Sequence, residues 1–380
     1  HTSDAEARTV TFAYAESEQP EDLPTSAEFT EWTPMTAGEK AAVRDALDHY
    51  ETYINVTFVD ASGEADPDLD LGKALIPGTC TGRGGTSISS FGEEIVRWDG
   101  FALYEYELDL TSDRTTNLVL HEIGHALGLR HPFDEVPALP DAEENNKYTV
   151  MSYTDNPDTG ERAKKLMLYD VLALQDIWGA ASNNEGKTVY RGPSDGELEV
   201  IWDTGGKNTL DASSREWAVK LDLREGKFSS FDATDDIAIA FNAEIENAIG
   251  GAGRDKITGN DKKNLLKGNA GKDTIKAGGG DDKLVGGKGG DKLYGNRGDD
   301  IMTGKGGKDR FIFKGKDGND TVRDFVDGID KIVIKGNGTL SAVLEKAFEV
   351  GDDVIFDFGN GNALTVLNTT LAEVSDDVLI

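Results

Sequence analysis

From Gly250 the chain divides without a gap into seven nonapeptides: GGAGRDKIT, GNDKKNLLK, GNAGKDTIK, AGGGDDKLV, GGKGGDKLY, GNRGDDIMT and GKGGKDRFI. The sixth position reads Asp255, Asn264, Asp273, Asp282, Asp291, Asp300 and Asp309. The eighth reads Ile257, Leu266, Ile275, Leu284, Leu293, Met302 and Phe311. A nine-residue unit cannot bury an apolar face alone, so a repeat this short must stack into a solenoid. Each unit is a Gly-rich turn followed by a short strand with one inward apolar side chain. Two units complete a coil, so like turns stack 18 residues apart.

The repeat G-G-x-G-x-D-x-U-x is the calcium-binding nonapeptide. Glycines permit the tight turn and bring carbonyl oxygens close to an ion. Aspartate adds a charged oxygen, and two stacked turns together supply the six to eight oxygens that calcium takes. One row of turns carries Asp255, Asp273, Asp291 and Asp309, the other Asn264, Asp282 and Asp300. The second repeat has Lys262 at a glycine position and Asn264 in place of an acid, so its site is expected to be weak or empty. A flexible Gly-rich linker would not hold aspartates and apolar residues in strict register. The array has 14 Lys and Arg against 9 Asp, so the acidic excess behind the chain's net charge of −32 lies outside it. That net charge argues against nucleic acid and anionic membrane surfaces as partners.

The 380 residues suffice for two or three domains. Residues 1–185 read as a mixed α/β domain. Thr36 to Glu39 form a capping box, followed at helical spacing by Val43, Ala46, Leu47, Tyr50 and Ile54. YINVTFVD and FALYEYELDL read as strands, with Ser112 or Asp113 capping the next helix. LMLYDVLALQDIWGA reads as a further helix, ending at Gly179. Near the C-terminus DVIFDF and ALTVL flank GNGN, a hairpin signal. Cys80 is the one cysteine, so no internal disulfide framework exists and metal ions are the expected staples. No apolar run approaches the roughly 18 residues of a membrane span. No secretory signal is visible, and the start at His1 rather than Met leads to the expectation of N-terminal removal.

Five histidines occur, His1, His49, His121, His125 and His131, and three fall within HEIGHALGLRH. On a helix His121 and His125 share one face. Glu122 is offset from that face and reaches a metal-bound water instead. Gly128 lets the chain leave the helix in a left-handed conformation, so that His131 returns to the same ion. Three imidazoles leave a position open, the mark of a catalytic zinc site. The pattern is the elongated motif H-E-x-x-H-x-x-G-x-x-H, and VMSYTD follows with Met151, the methionine of a turn beneath the zinc, and Tyr153.

Taken together, HEIGHALGLRHP, VMSY, MLYDVLALQDIWGA, IWDTGG, IENAIGGAG and DFVDGIDKI resemble the serralysins, secreted bacterial zinc proteases with a calcium-loaded roll. The resemblance implies an α+β architecture: an N-terminal metzincin catalytic domain over 1–185, then an all-β parallel β-roll and β-sandwich over 186–380. It implies one catalytic zinc on His121, His125 and His131, with Tyr153 as an extra ligand that swings away to stabilise the oxyanion. It implies several structural calcium ions. Their ligands on the first row are Gly251, Gly253 and Asp255 with Gly268, Ala270 and Asp273. Then come Asn269, Gly271 and Asp273 with Gly286, Lys288 and Asp291, and Gly287, Gly289 and Asp291 with Gly304, Gly306 and Asp309. On the second row Gly278, Gly280 and Asp282 face Gly295, Arg297 and Asp300. Earlier sites map near Asn184, Gly186, Thr188, Asp203 and Gly205, and near Gly206, Glu244 and Glu246. There Asn208 stands where an acid is usual, which weakens one or both.

The same resemblance implies a zymogen with a short propeptide and protein or peptide substrates. It also implies a proteinaceous inhibitor, a monomer, and export by a type I secretion apparatus that reads the ending SDDVLI. The segments TCTGRGGTSISS and EVPALPDAEENN are not mapped onto the family pattern; the first is expected to approach the substrate cleft, and specificity is expected to depend on such loops. The expected activity is zinc-dependent peptide hydrolysis with Glu122 as base and an extended substrate along a sheet edge. Two rivals exist: a calcium-binding or adhesive protein with a relic metal site, and a β-roll lipase. The lipase needs a G-x-S-x-G elbow, which the sequence lacks.

Overall fold

The computed structural model describes residues 7–380 except 22, 24, 26–28, 64, 65, 92, 93, 135–137, 194 and 315, and the side chains of 88–91 and 94–97. His1 and the start of the EVPALPDAEENN loop lie outside the described residues. The chain is mostly β with few helices. It divides into two compact units, 1–183 with 197–202, and 184–196 with 203–380.

The first unit is built on a five-stranded sheet of β1 (Arg8–Tyr14), β2 (Val56–Asp60), β3 (Leu69–Ala74), β4 (Gly82–Phe91) and β5 (Glu94–Glu105), in the order β2-β1-β3-β5-β4. All neighbours are parallel except β4, which runs antiparallel to β5 at the sheet edge. Helix α1 (Ala37–Glu51) starts at the Thr36–Glu39 capping box, and its Val43, Ala46, Leu47 and Tyr50 are buried at helical spacing. The Tyr50 hydroxyl donates to the Leu120 carbonyl at 2.7 Å and so ties α1 to α2 (Thr116–Ala126). Glu39 accepts from buried Lys73 of β3 at 2.6 Å, so the cap also anchors the sheet.

Two sequence expectations shift here. Strand β5 stops at Glu105, because Tyr106 to Leu110 turn away, with Leu108 N–H bonded to the Glu105 carbonyl. The residue before α2 is Thr115 rather than Ser112 or Asp113; Ser112 instead closes the preceding turn, accepting from Arg114 N–H and, through its carbonyl, from Thr115. Helix α3 (Leu168–Trp178) ends at Gly179, as its sequence indicates.

In the second unit the nonapeptide strands form two parallel sheets whose register advances by 18 residues. Lys256 pairs with Thr274, Thr274 with Lys292 and Lys292 with Arg310, while Leu265 pairs with Lys283 and Lys283 with Ile301. All seven eighth-position side chains are buried between the sheets. Strands before and after the array extend both sheets, so the flanking segments continue the same two-sheet body. The hairpin Asp353–Gly359 and Asn362–Val366 joins one of them through Asn319–Val322.

Candidate metal centre

His121, Glu122 and His125 lie on α2, and His131 follows its end. The helix closes through Leu129 N–H on the Gly124 carbonyl at 2.8 Å, with Gly128 at φ 100°, where a side chain is disfavoured. That turn puts the Leu129 carbonyl 2.9 Å from His125 Nδ1. His121 Nδ1 donates to the Val150 carbonyl at 2.9 Å, and His131 Nδ1 meets Asp134 Oδ2 at 2.7 Å. Carbonyls only accept, so Nδ1 carries the proton in His121 and His125 and the Nε2 lone pairs are free. Those Nε2 atoms converge: His125 to His131 is 3.1 Å and His131 to His121 is 3.3 Å. Burial pushes His121 down to about 4 and lowers His125, keeping both in the neutral form that binds metals.

Tyr153 reaches the same point, its hydroxyl 2.8 Å from His131 Nε2 and its ring stacked at 5.6 Å on His121. Phe133 stacks on the outer side of His131 at 5.0 Å and lies 5.4 Å from the Tyr153 ring. Met151 is buried beneath the helix; a side chain at Gly124 would begin 2.8 Å from its sulfur. Glu122 is buried beside β4, accepts from Gly84 N–H, and is pushed up to about 7 by desolvation. A Cβ at Gly82 would fall 2.6 Å from Glu122 Oε1, and one at Gly84 only 2.1 Å from the Glu122 carbonyl. The glycines of the unassigned TCTGRGGTSISS segment thus let an edge strand lie directly on the helix. His49 stands apart, its Nε2 accepting from Leu166 N–H.

In the roll each sixth-position aspartate accepts a backbone N–H from an earlier coil, Asp255 from Val219. Asp255 N–H donates to Asp273 Oδ1, Asp273 to Asp291 and Asp291 to Asp309, all at 2.8 Å. The second file runs from Asn264 to Asp282 and Asp300. The Oδ2 atoms of Asp273, Asp282, Asp291, Asp300 and Asp320 are buried and lack a hydrogen-bond partner. A Cβ at Gly268, Gly286, Gly295 or Gly304 would lie 2.3–2.4 Å from the Oδ2 five residues on. Burial raises Asp282 and Asp320 to about 8, Asp273 and Asp300 to about 7, and Asp309 to about 6. Stacked turns bring the remaining expected ligands alongside. Asn269 pairs with Gly287, Ala270 with Lys288 and Gly279 with Arg297, while Gly271 and Gly289 lie against Gly253 and Gly271.

Before the array, Asn184, Gly186, Thr188, Asp203, Gly205 and Gly206 form one cluster. Tyr190 bridges Asn184 and Asp203, and Gly206 lies against the Gly186 carbonyl. Asn208 sits in the middle. Its amide donates to the Gly205 and Glu244 carbonyls, its Oδ1 accepts from Thr188 N–H, and its own N–H donates to Glu246. An amide thus points at carbonyls that an acid at this place would leave free for a cation. Asn264 likewise satisfies itself on Asn260, accepting at 2.9 Å and donating at 2.9 Å.

The model of the Peptidase M10 serralysin C-terminal region matches residues 173–380, more than half of the chain. The chain belongs to the serralysin family. It is 32% identical over 272 residues to a serralysin of Proteus mirabilis, covering 60% of this chain and 55% of that protein. It is 29% identical over 285 residues to metallopeptidase AprA of Pseudomonas marginalis, covering 62% and 57%. Serralysin G of Dickeya chrysanthemi is 28% identical over 290 residues, covering 68% and 60%. The chain spans little more than half the length of the relatives it matches.

A serralysin implies zinc and calcium, and the donor sets fit both. Imidazole nitrogens about 2.0–2.1 Å from a tetrahedral zinc stand roughly 3.3–3.4 Å apart, close to the spacing of the three Nε2 atoms. Buried, unpartnered carboxylate oxygens in glycine cradles suit a hard cation. The structure adds residues that the sequence reading missed. Asp134 orients His131. Buried Asp170 accepts from Thr149 Oγ1 at 2.6 Å, Val150 N–H at 2.8 Å and Met167 N–H at 2.9 Å, and so fixes the loop that holds His121. Asn146 and Glu144, from the unassigned acidic loop, hold Ser152 just before Tyr153. Asp320 and Asp330 continue the two files, accepting from Asp300 and Asp309 N–H. Both stand in a D-x-U triplet, but 20 and 21 residues on instead of 18, which hides them from a strict period.

Proposed function

We propose that the chain is a secreted zinc endopeptidase with its catalytic machinery in residues 1–185 and a calcium-folded roll in 186–380. The observation that carries this reading is the convergence of three Nε2 atoms on one point together with the buried Glu122 carboxylate packed against Gly82 of β4, the edge strand of its sheet. His121, His125 and His131 would hold a zinc ion, which would supply an acidified water and a Lewis acid for the carbonyl. Glu122, its basicity raised by burial, takes the water proton and delivers it to the leaving amine. The exposed Tyr153 hydroxyl donates to the oxyanion. An extended substrate pairs with the free edge of β4, its backbone in register with the strand, and the Phe133–Tyr153 ring pair borders the reacting carbonyl.

The mechanism is metzincin in type, and the activity acts on extracellular proteins. Calcium neutralises the buried Asp files, so the roll folds only once calcium is plentiful outside the cell. A propeptide, a type I exporter and a proteinaceous inhibitor accompany this reading, with the chain acting as a monomer. Among the described residues no helix is long and apolar enough to cross a membrane.

Casein digestion by wild type and Glu122→Gln tests the assignment. The variant should lose activity by about 10²–10⁴-fold while still binding one zinc. A wild-type protein that carries zinc and calcium yet leaves casein and peptides intact would favour the relic-site rival and sink the proposal.

A further inference from the structure

The odd and even nonapeptides feed opposite sheets of the roll, and their outward faces differ in charge. In every unit the sixth and eighth residues are buried, while the fifth, seventh and ninth are half-buried or exposed, apart from buried Ile312 at the end of the array. On the odd units those outward places hold Arg254, Lys256, Lys272, Lys276, Lys292, Lys308 and Arg310, and no acid. On the even units Lys263, Lys267 and Lys283 are offset by Asp281 and Asp299. In a chain of net charge −32 the odd face is a concentrated exception.

Strand register stacks Lys256, Thr274, Lys292 and Arg310 in one file, which continues to Lys220 and Lys331. At its ends the chain supplies counter-charges: Lys220 meets Asp235 at 3.0 Å and Lys331 meets Asp377. The seven central cations form no ion pair with another described residue. Like charges on neighbouring strands repel, so the fold keeps this arrangement at a cost. The buried aspartates do not explain it, because the even file has Asp282, Asp300 and Asp320 beneath a face whose lysines, Lys288 and Lys305 included, are fewer and interleaved with Asp281 and Asp299.

We propose that this face binds an extended acidic glycan with one carboxylate on each sugar ring, a polyuronate. Neighbouring strands stand about 4.7–4.9 Å apart, roughly the rise of one ring; in a β-1,4 chain alternate carboxylates share a side and so recur about every two strands, the separation of Lys256 and Lys292 across Thr274. An extended acidic peptide presents same-side charges only every ~6.6 Å. Phosphates of a B-form duplex advance ~3.4 Å per strand along the helix axis and wind away from a flat face. Neither matches the file. Half-buried Tyr294, with the Lys276 ammonium 5.8 Å from its ring centroid, offers a flat apolar surface beside the file for a sugar face.

The proposal is independent of the protease reading, and its test uses binding alone. Calorimetry on the full chain at buffered free calcium compares a β-1,4-linked glucuronate hexamer with the neutral glucose hexamer of the same linkage. Hexaglutamate and a thymidine oligonucleotide are run alongside. The uronate should bind with an affinity that falls as salt rises, and the neutral hexamer should not bind. The triple variant Lys256→Thr, Lys292→Thr, Arg310→Thr should weaken binding on the order of tenfold, as expected for three exposed charge contacts. Thr274 already occupies the same file, so the fold accommodates threonine there. Lys263→Thr with Lys283→Thr, on the even face, should change nothing, and the calcium midpoint of folding should hold in all variants. Equal binding of the neutral glycan, or an unchanged triple variant that folds normally, overturns the proposal. Tighter binding of hexaglutamate or the oligonucleotide overturns the choice of glycan.

Discussion

Asp170 separates the scaffold of the centre from its chemistry. Its carboxylate, 1% exposed, holds two backbone N–H groups and one hydroxyl, and Val150 passes that order to His121 through its carbonyl. Asp170→Ala orphans both buried N–H groups at about 1–3 kcal/mol each, a loss of about 2–6 kcal/mol. Release of the Val150 carbonyl should weaken zinc binding about 10–100-fold, the usual cost of losing an outer-shell partner.

Asp170→Asn is the control, since its amide oxygen still accepts from both N–H groups. Burial pushes Asp170 up to about 6 from 3.8, against the pull of its three donors. A raised carboxyl stabilises the fold below its unfolded value and loses that contribution as pH climbs through the folded one. Wild type should therefore lose about 3 kcal/mol relative to the Asn variant between roughly pH 4 and pH 6, and nothing further above. Urea midpoints of both proteins across that range, with zinc affinity from chelator competition, read the two effects. Unchanged zinc affinity in Asp170→Ala, or a pH-independent gap between wild type and Asp170→Asn, would refute the reasoning.

Gly84→Ala places a methyl against the Glu122 carbonyl and should cost about 1–3 kcal/mol. It should lower both the melting temperature and kcat/KM, and a variant that melts and cleaves like wild type would show that β4 does not rest on α2. Asn264→Asp replaces a self-bonded amide with a carboxylate and should add one calcium ion by equilibrium dialysis; an unchanged count would mean the second repeat is closed for another reason. Calcium removal leaves the buried aspartates without a counter-ion, so EGTA should lower the melting temperature and strip strand signal from the circular dichroism. A chelated protein identical in both would end the calcium-folding account.

Local order was written in the sequence. A period of nine, a capping box and three histidines around a glycine each depend on neighbours within a turn or a coil. The 18-residue register, the α1 cap and the Gly128 turn all appear where those spacings put them. Contacts between distant segments were not legible. Nothing near Asp170 announces that it orders a loop 20 residues earlier. Gly82 and Gly84 lie in a segment that stays unassigned until α2 is seen to lie against their missing side chains. Asp320 and Asp330 carry the local triplet but break the period, and only stacking places them in file. Periodicity records what a residue does within its own element, whereas close packing of elements remote in sequence leaves no spacing to read. The donor residues of the candidate metal centre were therefore visible in the chain, while the supports that aim them belong to the tertiary structure.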